Sequence, residues 1–138
     1  MIAYVDSSVV LRLVLHQPDR LRTWPEVDVA VASTLVEVEC LRTFDRLRLR
    51  AELSDEDLAA RRESLHGLLR RFEMLEPSRP VLQRAALPLP TGLGTLDAIH
   101  LATALLWRER EERDLTMATH DGALATAARA FGLEVAGA

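Results

Sequence analysis

Ile2-Ala-Tyr-Val5-Asp6-Ser7-Ser8 is the stretch on which the fold turns. Ile2 to Val5 is a short apolar run of the kind a strand buried in a parallel sheet shows. Asp6-Ser7-Ser8 then supplies helix N-cap residues, and Val9 to Leu15 reads as a helix that Pro18 ends. The same alternation continues. Val27 to Ala32 is a second β-rich run with Asp28 as its only charge, and Ser33-Thr34 caps a helix from Leu35 to about Arg50. That helix carries an apolar stripe through Val36, Cys40, Phe44 and Leu47. Ser54-Asp55-Glu56-Asp57 opens another helix, acidic at its start and with Arg70-Arg71 near its end, as the helix dipole favours. A few residues separate these two helices, which predicts an antiparallel hairpin.

Phe72 to Leu75 reads either as a third strand or as the last turn of the preceding helix. Ser78 to Leu87 is a short helix, and Pro88 to Gly94 is a loop. Thr95 is expected to cap a helix from Leu96 to about Glu111 that is apolar nearly all round as far as Trp107, so it belongs inside the molecule. Leu115 to Thr119 is the next strand, Asp121 to Phe131 a helix closed by Gly132, and Leu133 to Ala136 a last strand. Strands alternating with helices mean a parallel sheet covered on both faces. With no repeat and no linker, residues 1–138 read as one α/β domain.

Composition narrows the chemistry. At 138 residues, 49% hydrophobic and 28% charged, the chain can bury a real core. All 17 cationic side chains are Arg. Without Lys there is no P-loop, no Schiff-base chemistry and no protein-kinase strand lysine. The single cysteine excludes an internal disulfide and a Cys-based zinc cluster, and fits a reducing, cytoplasmic setting. No signal-peptide pattern opens the chain, and no apolar run nears the ~18 residues of a membrane span. The net charge of −4 argues at first against nucleic acid. If four acids form a metal site, the rest of the chain is balanced.

Ligands of open α/β sheets bind outside the carboxyl ends of the strands, where strand order reverses. Asp6 follows the first strand and Asp121 the fourth; Asp97 sits in the first turn of the buried helix, and Glu39 one turn into the helix after the second strand. Singly, each has a structural explanation as a cap, a dipole partner or helix surface. Together they would repel, and such a cluster needs a cation; oxygen ligands with open positions suit Mg²⁺ or Mn²⁺. Glu37 and Glu39 compete for one role, because two positions on a helix are about 200° apart. The apolar stripe flanks both and does not decide.

The motifs Tyr4-Val-Asp6-Ser-Ser, Ser33-Thr-Leu-Val-Glu-Val-Glu39, Leu96-Asp97-Ala-Ile-His-Leu-Ala-Thr-Ala104 and Ala118-Thr-His-Asp121 resemble, in order and spacing, the PIN-domain nucleases, and within them the VapC-type toxins of toxin–antitoxin pairs. The resemblance implies a three-layer α/β/α fold with a central, mostly parallel sheet. It implies a Mg²⁺- or Mn²⁺-dependent ribonuclease, with Asp6, Glu39, Asp97 and Asp121 as the acidic quartet. Asp6, Asp97 and Asp121 would ligate the metal, Thr119 would support the site, and the family's spacing selects Glu39 over Glu37. An RNA substrate, a VapB-type antitoxin and a homodimer are implied as partners. His100, one turn from Asp97, is read as a packed or hydrogen-bonding residue able to orient that carboxylate. Arg12, Arg42 and Arg46 are the arginines considered for substrate phosphates. Two rival readings remain: a receiver-like signalling domain, weakened by the absence of Lys, and an inactive PIN-like scaffold that only binds protein or RNA.

Overall fold

The computed structural model describes all residues from Met1 to Ala138. The elements run β1 (Ile2–Val5), α1 (Ser7–Val14), a 3-10 turn (Trp24–Glu26), β2 (Val29–Ser33), α2 (Leu35–Leu49), α3 (Asp55–Leu69) and β3 (Glu73–Leu75). They continue as α4 (Arg79–Ala85), α5 (Thr95–Glu111), β4 (Thr116–Ala118), α6 (Gly122–Ala130) and β5 (Glu134–Ala136). The strands form one sheet in the order β3-β2-β1-β4-β5. Every pairing is parallel, so the sheet is parallel throughout rather than mostly so.

The period of two along each strand sorts the core into two faces. Ala3, Val5, Ala30, Ala32 and Ala118 face one way, and with Val9, Val10, Val36, Cys40, Phe44 and Leu65 they fill the space beneath α1, α2 and α3. Tyr4, Val31 and Met117 face the other way, against Leu101, Leu105 and Trp107 of α5 and Leu124 and Ala128 of α6. This is the three-layer α/β/α arrangement, and it explains why α5 is apolar over most of its surface: it packs on the sheet, on α4 and on α6. Glu37 near the start of α2 meets His66 near the end of α3 at 3.4 Å, which makes those two helices the antiparallel hairpin that the short connection predicts. No helix is long and apolar enough to cross a membrane.

Local chemistry moves several element ends. The second strand begins at Val29 rather than Val27, because Val27 still closes the 3-10 turn, its N–H donating to the Trp24 carbonyl at 3.1 Å. Phe72 to Leu75 resolves as a strand, with Glu73 to Leu75 pairing alongside β2. Gly94, not Thr95, holds the N-cap position of α5, and no side chain caps it. At α2 the backbone N–H of Leu35 donates to Ser33 Oγ at 3.2 Å, while the Thr34 hydroxyl turns away to Glu76. Gly132 ends α6 with φ +74°, the left-handed conformation that glycine adopts without a Cβ penalty.

Candidate active site

Strand order reverses at β1: β2 and β3 lie to one side, β4 and β5 to the other. The crevice at the carboxyl ends of β1 and β4 is therefore the switch point. Asp6 leaves β1 there, and residues 119–121 leave β4.

Asp6 is 4% exposed and caps α1. Its Oδ1 accepts from the Ser8 N–H (3.1 Å), the Ser8 hydroxyl (2.6 Å) and the Val9 N–H (3.3 Å). Its Oδ2 accepts from the Thr119 hydroxyl at 2.7 Å, and Thr119 Oγ1 in turn accepts from the Asp121 N–H at 2.9 Å. Asp121 caps α6 through Oδ1, which accepts from the Leu124 N–H at 2.8 Å; its other oxygen has no protein partner. The Ser8 hydroxyl also accepts from the His120 N–H at 2.9 Å, which ties the two strand ends together a second time. Asp6 and Asp121 are thus the helix caps that the sequence suggests, and no closed group of ligands gathers around them. One oxygen serves the helix and the other faces neighbours across the crevice.

Glu39 reaches the same crevice from α2, while Glu37 points to the hairpin side and pairs with His66. Glu39 Oε2 accepts from the Ser7 hydroxyl at 3.1 Å, and Oε1 accepts from His100 Nε2 at 2.5 Å. His100 is 1% exposed, and its Nδ1 accepts from the Tyr4 hydroxyl at 2.7 Å. The Tyr4 oxygen accepts from the Ser33 N–H at 3.2 Å, which leaves its own proton for His100 and fixes the imidazole with its proton on Nε2. His100 thus orients Glu39 rather than Asp97, its neighbour one turn away. Ser7, Ser8 and Tyr4 are site residues that sequence reasoning missed. The available signal was a phenol, the only tyrosine of the chain, in an otherwise apolar strand, since a buried hydroxyl needs a partner.

Asp97 stands in the first turn of α5, half-buried, with no protein hydrogen-bond donor on its carboxylate. Its pKa is raised, first by desolvation and then by the charge of Asp121, with Asp6 and Glu39 adding to it. Asp6 is raised too: burial outweighs the hydrogen bonds from Ser8 and Thr119. Cys40, beside Glu39 but packed in the core, has its thiol pushed up to about 12 by burial, and is no nucleophile. The four acids line a crevice and do not form a closed cage: nowhere in the chain do three or more His, Cys, Asp or Glu side chains stand at ligand spacing around one point. Uncompensated carboxylates repel, and helix caps hold two of them back. The donor set nonetheless fits a hard cation. It is all oxygen, with the Asp97 carboxylate and one oxygen of Asp121 free of protein donors.

Fold and site together define a parallel α/β protein with an acidic crevice at its switch point. The model of the PIN domain matches residues 3–130. The chain belongs to the PIN-domain family and, within it, to the VapC type. It is 33% identical over 136 residues to Ribonuclease VapC46 of Mycobacterium tuberculosis (strain ATCC 25618 / H37Rv), covering 96% of this chain and 94% of the relative. It is 30% identical over 141 residues to Ribonuclease VapC47 of M. tuberculosis (strain CDC 1551 / Oshkosh), with the same coverage. Among solved structures, a toxin–antitoxin complex from Klebsiella pneumoniae superposes with a TM-score of 0.65 at 18% identity, covering 91% of this chain and 89% of that one. VapBC2 from Rickettsia felis, bound to a DNA fragment from its promoter, gives 0.62 at 14% identity, covering 98% and 97%. At such identities these likenesses speak to the fold.

Proposed function

We propose that the chain, as one nuclease domain over residues 1–138, is a divalent-metal-dependent endoribonuclease and the toxin of a VapBC-type pair acting in the cytoplasm. The observation that carries this reading is Asp97. Its carboxylate has no protein donor, and burial with the charges of Asp121, Asp6 and Glu39 outweighs the opposing influence of His100, which leaves room for the counter-charge that a divalent cation would bring. In this reading Asp6, Asp97 and Asp121 hold Mg²⁺, with Mn²⁺ the other compatible ion. When bound, the ion supplies Lewis-acid stabilisation of the scissile phosphate and a more acidic water.

The residues of the chain do the rest. Thr119 fixes the Asp6 carboxylate and the start of the Asp121 loop with one hydroxyl. Ser7 and His100 hold Glu39 from two sides, leaving it oriented to position a water or accept its proton. No serine elbow and no accessible thiolate offer a covalent route, which supports direct attack by water on the phosphodiester. The relatives' name, ribonuclease, supports RNA as substrate, and the toxin–antitoxin titles of the fold neighbours support a VapB-type antitoxin as partner. A homodimer belongs to the same reading.

The test is cleavage of single-stranded RNA by the purified chain in Mg²⁺, with EDTA and with Asp6→Asn. Asparagine keeps the α1 cap and removes the charge. Loss of cleavage in both arms with an unchanged circular dichroism spectrum is expected. Full activity in Asp6→Asn or in EDTA sinks the site.

A further inference from the structure

Sequence draws attention to Arg12, Arg42 and Arg46 as phosphate ligands, and each is already engaged. Arg12 pairs with Asp19 at 2.8 Å, Arg42 with Asp45 at 3.1 Å, and Arg46 donates to the Thr43 hydroxyl at 3.0 Å. Arg20 and Arg22, in the loop between α1 and β2, are exposed and make no side-chain hydrogen bond or ion pair. Both line a pocket of about 520 Å³ whose wall also holds the paired Arg12 and Asp19, Thr23, His120 and Gly137. On a chain with net charge −4, two unmatched guanidiniums in one concavity are a local reversal of sign.

The pocket adjoins the crevice directly: the His120 N–H is bonded to Ser8 Oγ, which donates to Asp6.

We propose that this pocket is a subsite for the sugar–phosphate unit of a nucleotide flanking the scissile bond. Arg20 and Arg22 hold the phosphate oxygens of that unit, and Thr23, His120 and Gly137 shape the wall it lies against. The inference rests on the ribonuclease reading and gives it a direction, since the strand crosses the crevice toward the α1–β2 loop.

The experiment measures binding and cleavage separately. Fluorescence anisotropy with a labelled single-stranded RNA, in Mg²⁺ and in the Asp6→Asn background, compares Arg20→Ala/Arg22→Ala with Arg62→Ala/Arg113→Ala. The control pair has the same net charge and is also exposed and unpaired. The subsite pair should weaken binding about tenfold and flatten the salt dependence by roughly 0.7 in log–log slope for each phosphate no longer held, with the control within about twofold of the parent. In the active background the subsite pair should raise KM with kcat retained. Equal behaviour of the two arginine pairs in a chain that cleaves RNA overturns the subsite alone. A wild-type chain that neither binds nor cleaves RNA overturns the ribonuclease reading and the subsite with it.

Discussion

Tyr4→Phe removes one oxygen atom from the middle of the molecule and leaves the packed ring in place. That oxygen accepts from the Ser33 N–H and donates to His100 Nδ1, and Tyr4, Ser33 and His100 are all 0–1% exposed. Water cannot replace it without opening the layer between the sheet and α5. Two buried polar groups therefore lose a partner, at roughly 1–3 kcal/mol each, so the expected loss of stability is about 2–6 kcal/mol. For a chain of this length, roughly 4 °C per kcal/mol puts the fall in Tm at about 8–24 °C. Urea unfolding followed by circular dichroism measures it. Activity should fall as well, by lowered kcat more than raised KM, because His100 would no longer be fixed against Glu39 and Glu39 would lose its orientation. A double-mutant cycle with His100→Leu isolates the link, with an expected coupling of about 1–3 kcal/mol. A Tyr4→Phe chain within about 0.5 kcal/mol of wild type, or strict additivity in the cycle, would show that the chain of hydrogen bonds from Ser33 to Glu39 does not exist as described.

Glu39→Gln should lower kcat at least a hundredfold while Glu37→Gln stays within about twofold, since only Glu39 turns into the crevice; parallel RNA cleavage assays decide between them. Asp97→Asn should make the metal-free chain slightly more stable at neutral pH, by under about 1 kcal/mol because Asp97 is partly solvated, while removing cleavage. The pH dependence follows with a definite sign. The folded-state pKa values of Asp6 and Asp97 lie above the unfolded 3.8, so between those values the folded chain binds more protons and their contribution to stability falls as pH rises. The stability gained by Asp97→Asn over wild type should accordingly grow from pH 4 upward in urea titrations without metal; a difference that shrinks with rising pH would contradict it. Adding Mg²⁺ at about 100 times its Kd should raise wild-type stability by about 2.7 kcal/mol in the same assay and leave Asp97→Asn nearly unmoved.

Much of this molecule is written in local patterns. The apolar run at Ile2, the caps at Asp6 and Asp121 and the all-round apolar α5 are signals within a few residues, and each predicts its element to within a residue or two. Strand order is not legible that way. Where β3 and β4 pair depends on which faces are left to bury once α1 and α2 are in place. The start of β2 falls later than its β-rich run predicts because the 3-10 turn at Trp24–Glu26 takes up Val27. The four acids can be picked out from their places after predicted strands, but the choice of Glu39 over Glu37 needs either family spacing or coordinates. The partner of His100 is hidden for the same reason as the strand order. Tyr4 is 96 residues away from it and Glu39 is 61, and no periodicity reaches so far.

The caps at Asp6 and Asp121 bear on how the chain would respond to loss of the proposed cation. Each of these side chains is anchored by the N–H groups of its own helix, so the crevice keeps its form by itself. A zinc finger falls apart under a chelator because its ligands have no other occupation. In this chain chelation should silence chemistry and spare architecture, and resupplying the ion should restore turnover at once, with no refolding phase in between.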